Sequence, residues 1–129
     1  MQSVSFAEET RVKSVLIADD NFDLRVLFSA MFRRRGYDVR LVSDGREALA
    51  ALETLVPDVL VLDVNMPNVS GLEVLRSVRA SEVHKKVYVI IVSGNTMVER
   101  MPEAQFADLL LIKPVSPIDL VTLAERLTS

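Results

Sequence analysis

There is no cysteine in this 129-residue chain, which removes disulfides and thiolate metal sites together. No apolar run approaches the roughly 20 residues that a membrane span needs. The opening stretch MQSVSFAEETR carries acids and has no long apolar core, so it does not read as a signal peptide. Strong charge of either sign is missing too. The net charge is −3, and nothing draws the whole molecule toward nucleic acid or an anionic membrane. The one basic run, Arg33-Arg34-Arg35, reads as the solvated C-terminal end of a helix, where cations suit the dipole. These absences predict a cytoplasmic protein with no direct nucleic-acid or membrane contact.

What is present suits one compact domain. Half of the residues are hydrophobic and 26% are charged, and the chain is long enough to bury a core. Residues 1–11 read as a loose polar leader, and 12–129 as the domain, with no repeat and no second unit. Apolar, β-branched runs recur along it: SVLIA (14–18), VLVL (59–62), VYVIIV (87–92) and LLLI (109–112). They do not alternate with polar residues, the mark of strands covered on both faces. YDVRLV (37–42) does alternate and belongs at a sheet edge.

Segments of helical period lie between. Leu24, Leu27, Phe28 and Met31 form one stripe, closed by Gly36. DGREALAALETL (44–55) is rich in helix formers, and Leu72, Leu75 and Val78 stripe a third helix. The last helix starts with Ser116 at the cap, Pro117 in first place and Asp119 in the first turn, burying Leu120, Leu123, Ala124 and Leu127. Strand–helix alternation five times over predicts an α/β doubly wound parallel sheet. One segment fits badly. TMVERMPEAQFAD (96–108) should hold the fourth helix, but Pro102 sits inside it, so that helix either starts late or is a fragment.

Open parallel sheets build their sites at the carboxyl ends of the strands. Those ends carry Asp19 and Asp20, then Asp63, then Ser93, then Lys113 followed by Pro114. Singly, each has an ordinary reading as a cap, a turn residue or a solvated cation. Together at one edge, three carboxylates repel unless a cation or protons neutralise them. Oxygen ligands alone favour a hard ion, and Mg²⁺ fits best, with Mn²⁺ as a second candidate. A lysine and a hydroxyl would bind the remaining oxygens of an anion, so the set suits phosphoryl transfer to a carboxylate.

The pieces ADDN (18–21), GYDV (36–39), DGREAL (44–49), PDVLVLDVNMP (57–67), GLEVLRSVR (71–79), IIVSG (90–94) and KP (113–114), in this order, resemble the receiver domain of two-component response regulators. The resemblance spans about Lys13 to Leu127. It implies a flavodoxin-like (βα)5 fold with strand order 2-1-3-4-5 and a short or distorted fourth helix. It implies Asp63 as phosphoacceptor, Asp19, Asp20 and Asp63 with the Asn65 backbone carbonyl around the metal, and Ser93 and Lys113 on the phosphoryl group. Asn65, Gly94 and Asn95 would modulate its lifetime, and the Lys113–Pro114 bond would be cis. Such a domain is not a conventional enzyme, although it catalyses its own Mg²⁺-dependent phosphorylation and dephosphorylation. The implied partners are a sensor histidine kinase or histidine phosphotransfer protein, and then a downstream protein, an output domain beyond Ser129, or a second copy of the chain.

Three features depart from the family pattern. Leu110 stands where an aromatic switch residue is usual, Phe106 replaces a frequent glycine, and Pro102 interrupts the fourth helix. They predict intact phosphoryl chemistry with an unusual output route, or else a surface that simply packs another way. A flavodoxin-like binding module shares the architecture but wants a Ser/Thr/Gly-rich phosphate loop after the first strand, where this chain has two acids. An aspartyl-phosphate phosphatase of the haloacid-dehalogenase type carries its nucleophile near the start of the chain, unlike Asp63.

Overall fold

The unbroken apolar runs become the interior of a five-stranded parallel sheet. The computed structural model describes residues 11–129. The elements run β1 (Ser14–Ala18), α1 (Phe22–Arg34), β2 (Asp38–Val42), α2 (Gly45–Leu52), β3 (Val59–Asp63), α3 (Gly71–Ala80) and β4 (Tyr88–Ser93). Two 3₁₀ segments (Thr96–Arg100 and Pro102–Phe106), β5 (Leu109–Ile112) and α4 (Pro117–Thr128) complete the chain. The order across the sheet is β2-β1-β3-β4-β5, as the resemblance implied. Register places Val15 beside Val59, Asp63 beside Val92, and Ser93 beside Ile112. All five residues of β3 are buried, consistent with a central strand covered on both faces.

Alternate side chains of each strand feed two cores. Leu16, Leu60, Leu62 and Ile91 point to the face covered by α2, α3 and the 3₁₀ segments. Val15, Ile17, Val61 and Ile90 point to the face covered by α1 and α4. A fully buried side chain such as Leu60 contributes about 1.5–3 kcal/mol through transfer from water alone. Among the described residues, no helix is long and apolar enough to cross a membrane.

Each helix begins where its sequence supplies an acceptor. Asn21, Asp44, Ser70 and Ser116 accept from the backbone N–H three residues on. Arg33 and Arg34 lie exposed in the last turn of α1, and Arg35 pairs with Glu125.

Three expectations need correction. Leu27 is 51% exposed, and the buried stripe of α1 is Phe28 and Phe32, with Leu24 and Met31 half-covered. Turning the helix this way brings Phe32 edge-to-face against Tyr37, with ring centroids 5.1 Å apart, and buries a larger side chain than Leu27. In α4, Val121 is buried beside Leu120 and Ala124, while Leu123 and Leu127 are only partly covered. LLLI is not covered on both faces: β5 is an edge strand and all four of its residues are half-buried. The leader 1–11 lies outside the described residues except for Arg11, whose guanidinium donates two hydrogen bonds to the Asp58 carboxylate, at 3.1 and 2.7 Å.

The fourth helix is a fragment. Pro102 holds Met101 extended (φ −80, ψ 131), so the first 3₁₀ segment stops at Arg100 and a second begins at the proline. Arg79 on α3 fastens the far end of this stretch. It donates to the backbone carbonyls of Phe106, Lys85 and Val87 and pairs with Asp108 at 2.9 Å. The Lys113–Pro114 bond is cis, as expected.

Candidate functional site

Because all five strands run the same way, their carboxyl ends share one rim. β1 delivers Asp19 and Asp20, β3 delivers Asp63, β4 ends on Ser93, and β5 leads into Lys113. The structure brings the acids together: one carboxylate oxygen each from Asp19, Asp20 and Asp63 lies within 4.8 Å of the other two. The Lys113 ammonium sits 3.4 Å from Asp19 Oδ2 and 3.4 Å from Asp63 Oδ2. Asp19 and Asp63 are 2% and 3% exposed, whereas Asp20 faces solvent.

Backbone donors hold the two buried acids. Asn21 N–H donates to Asp19 Oδ1 at 2.8 Å, and Asn65 N–H donates to Asp63 Oδ1 at 3.3 Å. Arg25, one turn into α1, donates to the Asp19 carbonyl at 2.7 Å, which fixes the peptide that carries the acidic pair. Burial pushes the Asp63 carboxyl up to about 6, helped by the negative charge of Asp19. The Lys113 ammonium and the Asn65 N–H act in the other direction.

Ser93 is fully buried at the same rim, but its hydroxyl is engaged elsewhere. It accepts from Asn95 N–H at 3.0 Å and donates to the Asn95 carbonyl at 3.3 Å. Gly94 and Asn95 are exposed beside it, and Asn65 is exposed after Asp63. Leu110 lies on β5, half-buried against the α3-side core, where it lines a cavity of about 330 Å³ with Met101, Pro102 and Ala104.

The donor set fits Mg²⁺. It offers hard oxygen donors only, two of them buried carboxylates whose repulsion a dication would relieve. An octahedral shell with oxygens about 2.1 Å from the ion spaces its ligands by about 3–4 Å, so small side-chain movements close the observed cluster.

Sequence reading missed Arg25 and the pair Asn68–Asp44, whose side chains meet at 3.1 Å. A cation six residues after Asp19 was a signal for the first. Nothing local signals the second, because the pair closes across 24 residues.

Comparison with known proteins agrees with this geometry. Residues 15–125 match the family model described as the response regulator receiver domain. The transcriptional regulatory protein TrcR of Mycobacterium tuberculosis is 37% identical over 107 residues, which cover 83% of this chain and 42% of TrcR. The chemotaxis response regulator CheY4 of Vibrio cholerae superposes with a TM-score of 0.83 at 32% identity, over 91% of this chain and 99% of CheY4. TrrA of Thermotoga maritima, a response regulator solved in complex with Mg(2+)-BeF, superposes at 0.82 with 26% identity, over 90% of this chain and 99% of TrrA. The chain therefore spans less than half the length of a curated relative such as TrcR.

Proposed function

The chain belongs to the response regulator receiver family, and on that premise we propose that Asp63 accepts a phosphoryl group from the phosphohistidine of a sensor kinase or phosphotransfer protein. Receiver domains are signalling modules rather than conventional enzymes. The observation that supports the assignment is the near-buried Asp63 carboxylate, with Lys113 at 3.4 Å and two further acids in the same cluster.

Transfer is in line. An Asp63 oxygen attacks phosphorus while the P–N bond breaks, and the imidazole leaves with the bonding pair. Lys113 holds positive charge where the equatorial oxygens gather negative charge. The Ser93 hydroxyl turns from the Asn95 carbonyl to donate to one of those oxygens. When bound by Asp19, Asp20, Asp63 and the Asn65 carbonyl, Mg²⁺ supplies charge neutralisation, and Mn²⁺ offers the same chemistry. Water later attacks the acyl phosphate and returns phosphate and the free carboxylate, with Asn65, Gly94 and Asn95 bordering its approach.

The receiver spans 12–129 and works in the cytoplasm. Phosphorylation switches its contacts with a downstream protein, with an output domain beyond Ser129, or with a second copy, and Leu110 is part of that switch. Acetyl phosphate with Mg²⁺ tests the acceptor. Wild type should gain an acid-labile phosphoryl group that Asp63→Asn lacks, and labelling retained in the variant would refute the assignment.

A further inference from the structure

The loop that follows Asp63, residues 64–70, is held firmly although it contains no helix or strand. Two glycines meet it at distances no side chain tolerates. A Cβ on Gly45 would stand 1.8 Å from the Val69 carbonyl oxygen, and one on Gly71 would stand 2.2 Å from that of Asp63. Between these contacts Asn68 has φ 70, and among the described residues it is the one non-glycine at positive φ. Glycine would take that conformation more easily. What asparagine adds is an amide, and its Nδ2 donates to Asp44 Oδ2 at 3.1 Å. The other oxygen of Asp44 accepts from Glu47 N–H at 2.7 Å, so the anchor is itself fixed to the start of α2.

At the near end, the same loop carries Asn65, whose N–H reaches Asp63 Oδ1 at 3.3 Å. That bond is slightly longer than the usual range, so a small loop shift weakens or strengthens it appreciably. A path of contacts therefore runs from Asp44 through Asn68 and the loop to the carboxylate. Strained backbone of this kind persists where the surroundings over-determine it, and it concentrates at working sites.

We propose that Asn68 and Asp44 are positioning residues for Asp63. The Asn68 amide, anchored on Asp44, sets where the loop places the Asn65 N–H and carbonyl relative to the acidic cluster. The inference rests on the reading of that cluster as the phosphoryl and metal site.

Two variants isolate the contact. Asn68→Gly keeps the backbone geometry and deletes the amide. Asp44→Ser keeps a hydroxyl to cap Glu47 and deletes the acceptor for Asn68. Three readouts apply: the Mg²⁺ dissociation constant by calorimetry, the Asn65 amide proton shift by NMR, and the urea midpoint in EDTA. Asn68→Gly should be at least as stable as wild type, yet bind Mg²⁺ about three- to tenfold more weakly, the range one such hydrogen bond spans. Its Asn65 amide proton should move upfield. Asp44→Ser should show the same loss, and the double variant no more than either single.

Mg²⁺ affinity unchanged in Asn68→Gly overturns the proposal, as do additive losses in the double variant. A loss that merely follows a fall in stability overturns it too, since that is the behaviour of a structural contact. Metal affinity is measured without any phosphodonor. A wild type that binds Mg²⁺ but never labels with acetyl phosphate therefore removes the acceptor role of Asp63, while these variants still judge the positioning role.

Discussion

Replacing Asp63 by asparagine removes a charge that folding holds almost out of water. In the metal-free protein the carboxyl is pushed from its ordinary 3.8 up to about 6, first by burial and then by the charge of Asp19. The sign follows from proton linkage. Between about pH 4 and pH 6 the folded state keeps a proton on this group that the unfolded chain has released. Stability therefore falls as pH rises through that window, and the penalty is complete above it. At about 1.36 kcal/mol per pH unit, the interval from 3.8 to about 6 sets a ceiling of about 3 kcal/mol. The site opens to solvent at its rim, so about 2 kcal/mol is the expected figure. The attraction of Lys113 is already contained in that balance, and in the variant the ammonium keeps Asp19 at 3.4 Å.

Asparagine resembles the protonated acid in size and carries no such penalty. In EDTA, Asp63→Asn should thus be more stable than wild type by about 2 kcal/mol at pH 7.5, with the gap closing toward pH 4. Urea unfolding at pH 4.5, 6.0 and 7.5 reads this directly, provided the slopes agree between the proteins. Millimolar Mg²⁺ should narrow the gap at pH 7.5 by stabilising wild type. A variant less stable than wild type at pH 7.5 in EDTA, or a gap that ignores pH, would refute the reasoning.

Lys113→Ala removes the cation that opposes this rise, so the Asp63 carboxyl should titrate about one pH unit higher. Carbon-13 detection of the carboxyl resonance checks it, and an unmoved titration would mean that Lys113 does not act on Asp63. Arg79→Ala removes three bonds to backbone carbonyls and the ion pair to Asp108 at the base of β4 and β5, leaving Asp108 held by the Val89 N–H. It should destabilise by about 1–2 kcal/mol, most of it from the part-buried bond to the Val87 carbonyl. Amide exchange should quicken around Val87–Val89 and Ala104–Asp108, and a loss under about 0.5 kcal/mol would show the hub to be unimportant.

Much of this was legible in residues alone because local patterns have few physical solutions. VLVL running into Asp63 is a buried strand that ends on a carboxylate, and parallel strands put all such ends on one rim, so Asp19, Asp20, Asp63, Ser93 and Lys113 could be gathered before any coordinates. That Pro102 would shorten the fourth helix was equally readable, since proline disfavours helix at Met101, although a late start and a fragment stayed open.

Periodicity, by contrast, fixes spacing and leaves phase open. Whether α1 turned Leu27 or Phe32 inward was decided by Tyr37 waiting beyond its end, and LLLI became half-exposed because its strand fell at an edge. The turn of the Ser93 hydroxyl toward Asn95, the grip of Arg79 and the bond from Asn68 to Asp44 belong to the same class. The sequence by itself determined which segments are strands and which acids meet. The tertiary structure alone decided how each is oriented and braced, because those contacts form only when loop closure brings distant stretches of chain within hydrogen-bond reach.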